Sequence, residues 1–177
     1  MSSGNKTSNI HLSRASLGDD KPVKLPAESK AFIQKELKRY ERRESALIPA
    51  LFEAQKVFGW ISEEVIDVLA MEMDIPHSRV AEVADFYTMF NKKPVGKYHI
   101  QVCTNISCAM VGARETADYF CSKLGMKLEE VSRDGKFTVS QVECLGSCGT
   151  APMAQINDDY HENLTHEKID KLIEKLK

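Results

Sequence analysis

The sequence has 177 residues, 42% of them hydrophobic, and a formal net charge of -2 at pH 7. This length accommodates one domain of ordinary size or two small ones, and the apolar content is sufficient for a buried core. The nearly balanced charge gives no reason to expect a nucleic-acid partner. The longest apolar run, Ala46 to Phe52, contains Pro49 and is far shorter than the roughly 20 residues that cross a bilayer, so we expect no membrane insertion.

Residues 1–25 are polar and lack hydrophobic periodicity, which predicts a disordered tail. No apolar segment of the kind found in secretory signals follows Met1. The stretch is serine-rich and holds no acid before Asp19, as in organellar transit peptides, but Arg14 is its only arginine. We therefore expect a reducing cytoplasmic compartment, where cysteine is more often metal-bound than disulfide-bonded.

Residues 26–93 contain four segments with helical hydrophobic periodicity, which predicts a small helical bundle. The segments are expected to begin near Pro26, Ser45, Ser62 and Pro76. We expect the aromatic side chains of Phe86, Tyr87 and Phe90 to pack in a core or between domains. The bundle lacks the basic face of a helix-turn-helix DNA-binding protein.

Residues 94–177 show a different pattern, which begins after the linker-like segment 91–96. Strands are predicted at 98–102, 127–131, 137–142 and 153–156, with a crossover helix after the first strand and a final helix capped by Thr165. The order β-α-β-β-β-α is consistent with a thioredoxin-like layer. The predicted fold class is thus α/β, a helical bundle followed by a thioredoxin-like α/β domain.

Four of the five cysteines form two short brackets, Cys103-x4-Cys108 and Cys144-x3-Cys148. Such a set indicates a disulfide pair, a zinc site or an iron-sulfur cluster. The spacing matches neither the plant-type nor the bacterial ferredoxin run, and no histidine lies near a bracket as in a Rieske centre. Both brackets follow predicted strands, so we expect their loops to meet at one end of the sheet.

The loop 143–152 is rich in glycine and small residues, which lets backbone N-H groups approach the sulfur atoms. Such donors favour the reduced form of an anionic cluster. Candidate hydroxyl donors are Thr104, Ser107, Ser147 and Thr150. A structural zinc site would also tolerate this loop, so the residues alone leave both kinds of metal centre open.

The fifth cysteine, Cys121, shares a helical face with Ala117, Phe120 and Leu124 and is predicted to be a small buried hydrophobic residue. A thiol-disulfide oxidoreductase normally carries C-x-x-C at a helix N-terminus, and neither bracket has that spacing. We assign no catalytic residue and no chemistry to the histidines.

Several motifs resemble the small [2Fe-2S] subunit of NADH:quinone oxidoreductase, respiratory complex I. They are the two bracket sequences VCTNISC (102–108) and ECLGSC (143–148), the segment APM (151–153), and upstream GWI (59–61) and FYTMF (86–90). The resemblance extends over roughly residues 30–177. It implies a thioredoxin-like fold and one [2Fe-2S] cluster held by Cys103, Cys108, Cys144 and Cys148.

A [2Fe-2S] cluster exchanges single electrons whereas NADH delivers a hydride, so a flavin must stand between them. The chain has no GxGxxG fingerprint, and the resemblance places FMN, the NADH site and a [4Fe-4S] cluster in a larger partner flavoprotein subunit. The chain is expected to carry electrons in an NADH:quinone oxidoreductase without oxidising NADH alone. It would lie with further subunits on the cytoplasmic side of the inner membrane, or on the mitochondrial matrix side in a eukaryote.

Two alternatives accompany this interpretation. Related subunits occur in the diaphorase modules of NAD-linked hydrogenases and formate dehydrogenases, so the family is better defined than the parent complex. A zinc-stabilised interaction module is the alternative of another class, and it predicts a colourless protein without inorganic sulfide.

Overall fold

The computed structural model describes residues 23–176, which form two compact units with the boundary between Pro94 and Val95. Each unit has its own buried apolar core. Most of the predicted disordered tail, residues 1–25, lies outside the described residues, but Leu25 is buried in the first core. Within the described part of the chain, no helix is long and apolar enough to cross a membrane.

The first unit is built from α-helices whose apolar stripes face one another. Its helices are α1 (Ala27–Leu37), α2 (Leu47–Phe58), α3 (Glu63–Met73) and α4 (His77–Phe86). The fully buried side chains at the centre include Ile33, Leu47, Leu51, Leu69, Met73 and Val80. Their spacing follows the helical period, so apolar burial along one face of each helix organises the bundle.

The ends of these helices follow local capping rules in most places. Ser62 caps α3, since its Oγ accepts the Val65 N-H at 3.4 Å. Gly59 ends α2 with φ of 81°, a left-handed conformation that glycine adopts without strain. The helix predicted to begin near Ser45 begins at Leu47, and Ser45 does not cap it, because a 3-10 turn over Arg43–Ala46 runs directly into α2.

The aromatic segment after α4 only partly enters the core. Phe90 is buried and contacts Phe52 edge-on, with ring centroids 5.1 Å apart. Phe86 does not pack in the core of its own unit, because its side chain is 77% exposed, so this part of the prediction of packing in a core or between domains is not met. Two residues of α-helix turn the chain through about 200°, so Phe86 lies opposite the buried Ala84.

The second unit contains a four-stranded sheet with the order β2-β1-β3-β4. Its strands are β1 (Tyr98–Cys103), β2 (Phe137–Val142), β3 (Ala154–Ile156) and β4 (Asp159–His161). β1 and β2 are parallel, and the other pairs are antiparallel. A parallel pair needs a crossover connection, which contains α5 (Ile106–Met110) and α6 (Ala113–Leu124), and α7 (His166–Leu176) follows the sheet.

The strand set differs from the prediction in two places. The predicted strand at 127–131 does not form, because Glu129 has φ of 62° and only Val131 makes an isolated bridge, to Thr138. The sequence pattern also gave no indication of β4, a short edge strand without an apolar alternation. The α/β class is confirmed, but the third and fourth strands form a hairpin after the second cysteine bracket.

The core of the second unit lies between the sheet and its helices. Phe120 of α6 is fully buried, as are Ile100 and Val102 on β1. Thr165 caps α7 as predicted, since its Oγ1 accepts the Lys168 N-H at 3.3 Å. These contacts support the central strand β1, from which the first bracket loop extends, while the second bracket loop extends from its parallel neighbour β2.

Candidate metal centre

The parallel pair β1 and β2 brings the two cysteine brackets together. In the register of this pair, Cys103 at the end of β1 lies opposite Val142 at the end of β2. Beyond the strands, the Thr104 N-H donates to the Val142 carbonyl at 2.9 Å, and the Cys103 N-H donates to the Met153 carbonyl at 3.2 Å. The predicted convergence of the two loops at one end of the sheet is therefore present.

The first bracket is buried. Cys103 and Cys108 are each 2% exposed, Cys103 in the last position of β1 and Cys108 on α5. Asn105 begins α5, since its side-chain oxygen accepts the Ile106 N-H at 2.9 Å. The Asn105 amide also donates to the Glu143 carboxylate at 2.8 Å, and this hydrogen bond joins the first bracket loop to the residue before Cys144.

The second bracket is exposed and closely spaced. Cys144 follows β2 after one residue, and Cys148 begins a 3-10 turn that ends at Thr150. The two Sγ atoms are 3.9 Å apart. Thiolates bound at about 2.3 Å to one tetrahedral metal lie about 3.8 Å apart. The Cys144 and Cys148 side chains therefore have the separation of neighbouring ligands of one metal atom.

All four bracket cysteines are free thiols, as is Cys121. Burial, together with the neighbouring Cys103 and Cys148 thiols, raises the pKa of the Cys108 thiol to about 11. Cys108 therefore lies close enough to interact with Cys103 in its own bracket and with Cys148 in the other. Metal-binding cysteines are deprotonated, so ionisation of such a buried thiol at neutral pH needs a compensating positive charge of the kind a metal supplies.

A backbone group donates to sulfur in the second bracket. The Gly146 N-H donates to Cys144 Sγ at 3.4 Å, and Gly146 has φ of 82°. This contact agrees with the prediction that the glycine-rich loop lets backbone N-H groups approach sulfur. A hydrogen bond of this kind stabilises negative charge on the sulfur atom.

Three of the four predicted hydroxyl donors, Thr104, Ser147 and Thr150, donate to oxygen instead of sulfur. Thr104 donates to the Val142 carbonyl at 3.3 Å. Ser147 and Thr150 both donate to the Glu162 carboxylate, Thr150 at 2.6 Å. Sequence reasoning missed Glu162. This residue is brought to the bracket loop by the strand β4 that precedes it, and an isolated acid far along the chain carries no local signal.

Within residues 23–176, no three Cys, His, Asp or Glu side chains are grouped closely enough to hold one metal ion. A structural zinc site surrounds a single ion with four ligands. A four-cysteine [2Fe-2S] centre shares its ligands between two irons. The 3.9 Å separation of the Cys144 and Cys148 sulfur atoms fits two ligands on one metal atom in either arrangement.

Cys121 lies apart from the brackets, as predicted. It is 8% exposed on α6 and belongs to the apolar core of the second unit. Burial raises the pKa of its thiol, and the nearby Asp118 carboxylate raises it further. Cys121 is therefore a buried side chain of the core and a suitable control for substitutions of the bracket cysteines.

Comparison with known proteins identifies the family. The family model for thioredoxin-like [2Fe-2S] ferredoxins matches residues 33–177. A solved structure of an NAD+-reducing [NiFe]-hydrogenase in the H2-reduced state superimposes with a TM-score of 0.64 and 25% identity, over 73% of this chain and 22% of that longer chain. The chain belongs to the thioredoxin-like [2Fe-2S] ferredoxin family, and the resemblance inferred from its motifs is confirmed.

Three curated relatives are components of NADH-quinone oxidoreductases. The chain is 47% identical to the component designated E in the enzyme of Rickettsia bellii, over 80% of this chain and 86% of the relative. It is 49% identical to the same component of Rickettsia felis, over 75% and 80% of the two chains. It is 41% identical to the component designated E 2 in Rhizobium meliloti, over 77% and 81%.

Proposed function

We propose that this chain is an electron-carrying subunit of an NADH-quinone oxidoreductase and holds one [2Fe-2S] cluster. The observation that carries the proposal is the agreement of two features in one chain. Relatives that are components of NADH-quinone oxidoreductases match three quarters or more of its length. Four free thiols also extend from the same end of its sheet.

We assign Cys103, Cys108, Cys144 and Cys148 as the ligands of the cluster. When bound, a [2Fe-2S] cluster accepts and donates one electron at a time. Burial of the first bracket excludes water from one side of the site, while the exposed second bracket leaves the other side open to a redox partner. The ligand assignment is supported by the 3.9 Å separation of the Cys144 and Cys148 sulfur atoms.

Other residues of the chain hold the ligands in place and supply polar contacts. The Gly146 N-H stabilises negative charge on Cys144 Sγ. The hydrogen bond from Asn105 to Glu143 ties the two bracket loops to each other. These residues act through the ligands, and no residue of this chain is assigned a role in binding NADH or in accepting its hydride.

The partner that this function requires is a flavoprotein. NADH gives up a hydride, so a flavin must divide the electron pair before a one-electron carrier can receive it. We propose that an NADH-binding subunit carrying FMN and a [4Fe-4S] cluster supplies this flavin, with further subunits leading to quinone. The complex would place this chain on the cytoplasmic side of the inner membrane, or on the matrix side in a mitochondrion.

A second function of the same class is supported by the structural likeness to the NAD+-reducing [NiFe]-hydrogenase. In that case the chain would serve a complex whose terminal reaction involves hydrogen instead of quinone. The identity of 25% to that chain is well below the 41% to 49% found for the NADH-quinone oxidoreductase components. Purification of the native complex, followed by assay with quinone and with hydrogen, distinguishes the two.

Substitution of a bracket cysteine tests the ligand assignment directly. In Cys144→Ser, we expect loss or alteration of the cluster, because a hydroxyl replaces one of its four thiolates. In the matched control Cys121→Ser, iron and acid-labile sulfide per chain should remain those of the parent. An unchanged reduced-state EPR signal in Cys144→Ser would show that the ligand assignment is wrong.

A further inference from the structure

The two residues that flank Cys148 and Gly149 are hydrogen-bonded to a carboxylate from a later part of the sequence. Glu162 follows β4, and its carboxylate accepts hydrogen bonds from Ser147 Oγ and from Thr150 Oγ1, the latter at 2.6 Å. The two hydroxyl oxygens are themselves 2.7 Å apart. Glu162 therefore binds the two ends of the short turn that contains Cys148.

Backbone and phenol hydrogen bonds extend this connection along the segment 160–164, which we call the clasp segment. The Asn163 N-H donates to the Thr150 carbonyl at 2.7 Å, and the Leu164 N-H donates to the Pro152 carbonyl at 2.9 Å. At the other end, the Tyr160 hydroxyl donates to the Leu145 carbonyl at 2.6 Å. The clasp segment thus contacts the loop 145–152 before and after Cys148.

Within the described part of the chain, the hydrogen bonds of the Glu162 carboxylate go to the second bracket loop. This bracket is the exposed one, so its shape depends more on such support. Cys144 and Cys148 lack the surrounding core that encloses Cys103 and Cys108. An exposed loop rich in glycine loses much conformational entropy when it adopts one ligating shape. The hydrogen bonds of the clasp segment restrict that freedom before any metal binds.

Glu162 also brings a negative charge to the loop. Hydrogen bonds from Ser147 and Thr150 lower the pKa of its carboxyl group, which stays ionised at neutral pH. Among the described residues, the influences on this carboxyl group are the two hydroxyls and burial, with no cation among them, and Lys168 Nζ donates to the Glu162 backbone carbonyl at 3.3 Å. The charge is therefore not neutralised by a direct partner in the described chain.

We propose that Glu162 is a positioning residue for the cluster, one that preorganises the Cys144 to Cys148 loop and disfavours reduction through its charge. The inference rests on the proposed [2Fe-2S] function. Reduction adds one negative charge to an already anionic cluster, and a fixed carboxylate nearby opposes that addition. The hydrogen bonds and the charge of Glu162 contribute separately, so two substitutions can separate them.

The experiment uses the full chain with its cluster and compares three variants. Glu162→Gln keeps an oxygen that accepts both hydroxyls but removes the charge, whereas Glu162→Ala removes the acceptor and the charge. Glu167→Gln is the matched control, because Glu167 is an exposed acid in the first turn of α7 that pairs with Lys171 at 2.7 Å. Each variant is titrated with reductant under EPR, and its loss of iron to a chelator is timed.

We expect Glu162→Gln to raise the equilibrium constant for one-electron reduction on the order of tenfold, about 59 mV for a single electron. Its reduced-state EPR line shape and its rate of iron loss should remain those of the parent, since the ligands and the loop are intact. Glu162→Ala should show the same rise in reduction together with several-fold faster iron loss. Glu167→Gln should change neither quantity.

Each part of the proposal can be overturned separately. Equal reduction constants for Glu162→Gln and the parent would overturn the effect of the charge. Iron loss from Glu162→Ala as slow as from the parent would overturn the preorganisation of the loop. If the parent chain itself binds no iron and sulfide, the proposed function fails and this inference fails with it. If the parent binds both but the Glu162 variants do not differ from it, only the inference about Glu162 is overturned.

Discussion

The bracket cysteines occupy two different environments, and this difference has a measurable consequence at the scale of single residues. Cys144 and Cys148 are exposed, whereas Cys103, Cys108 and Cys121 are buried. Thiol alkylation requires access to the thiolate, which burial opposes. In the folded chain without cluster, a short pulse of iodoacetamide should label Cys144 and Cys148 well before the other three.

Peptide mass spectrometry at several pulse times measures this order. Unfolding the chain in denaturant before the pulse is the control, and it should bring all five labelling rates close together. Early labelling of Cys108 in the folded chain would contradict the buried position of the first bracket.

A half-buried histidine, His99, makes the stability of the second unit sensitive to pH. The imidazole Nε2 of His99 lies 2.8 Å from Ser140 Oγ, and Ser140 also donates to the Glu129 carboxylate at 3.2 Å. Burial lowers the pKa of His99 from 6.5 to about 4. Between these values the unfolded chain binds a proton that the folded chain does not, so stability is full above about pH 6.5 and falls toward pH 4.

Replacing this histidine should weaken that pH dependence. His99→Gln keeps a side chain that can hydrogen-bond to Ser140 but cannot titrate. We expect the decrease in unfolding free energy between pH 7 and pH 5 to become smaller by about 1 to 2 kcal/mol. Urea denaturation at both pH values measures it, with His77→Gln, on the surface of the first unit, as the control. The same decrease in His99→Gln as in the parent would contradict this account.

At the scale of elements, the strand pair β1 and β2 depends on one close backbone approach. The Gly96 N-H donates to Thr138 Oγ1 at 2.8 Å. A Cβ atom at this position would lie 2.5 Å from the carbonyl carbon of Phe137, which is a clash with the backbone of β2. Glycine is therefore required where the chain enters the sheet.

Gly96→Ala should displace the start of β1 from β2 and destabilise the second unit by about 1 to 3 kcal/mol. Thermal unfolding followed by circular dichroism measures the effect. Gly149→Ala, whose added Cβ has open space around it, is the control that should change stability much less. Equal unfolding temperatures for Gly96→Ala and the parent would contradict the close approach.

The helix caps of the first unit give a second prediction at this scale. Ser62 is 4% exposed and caps α3, while Ser45 lies in the 3-10 turn before α2 without capping it. Ser62→Ala should therefore cost about 1 kcal/mol of unfolding free energy, because the Val65 N-H loses its acceptor. Ser45→Ala should cost little, and urea denaturation compares the two. A larger loss in Ser45→Ala would reverse the assignment of the caps.

At the scale of the whole molecule, each of the two units has its own apolar core, and all four proposed ligands belong to the second. The division into a helical domain, 26–93, and a [2Fe-2S] domain, 94–177, remains a prediction. We expect the fragment 95–177 to fold and to bind iron and sulfide in the amounts found for the full chain. Failure of this fragment to bind a cluster, in spite of native-like circular dichroism, would show that the helical unit is needed for the site.

The parts of this structure that could be predicted from sequence depend on local rules. The helices with apolar stripes could be located, because their determinants lie within a few residues of one another. The cysteine brackets were identified for the same reason, with the family resemblance deciding what the spacing alone left open. The short edge strand β4 has no apolar alternation, so periodicity could not find it.

Long-range contacts were the part that sequence reasoning could not reach. Ser147 and Thr150 were expected to donate to sulfur because they flank the cysteines. Their acceptor is a carboxylate that reaches them only after the β3 and β4 hairpin has formed. A hydroxyl donates to the strongest acceptor within reach, and a charged carboxylate is a stronger acceptor than sulfur.

The composition of the metal centre tests the central claim most directly. Anaerobically purified full-length chain, reconstituted with iron and sulfide if needed, should contain two irons and two acid-labile sulfides per chain. Its EPR spectrum should be silent when oxidised and show one signal after one-electron reduction. Zinc without sulfide, or no metal after reconstitution, would contradict the claim that these four thiols hold a [2Fe-2S] cluster.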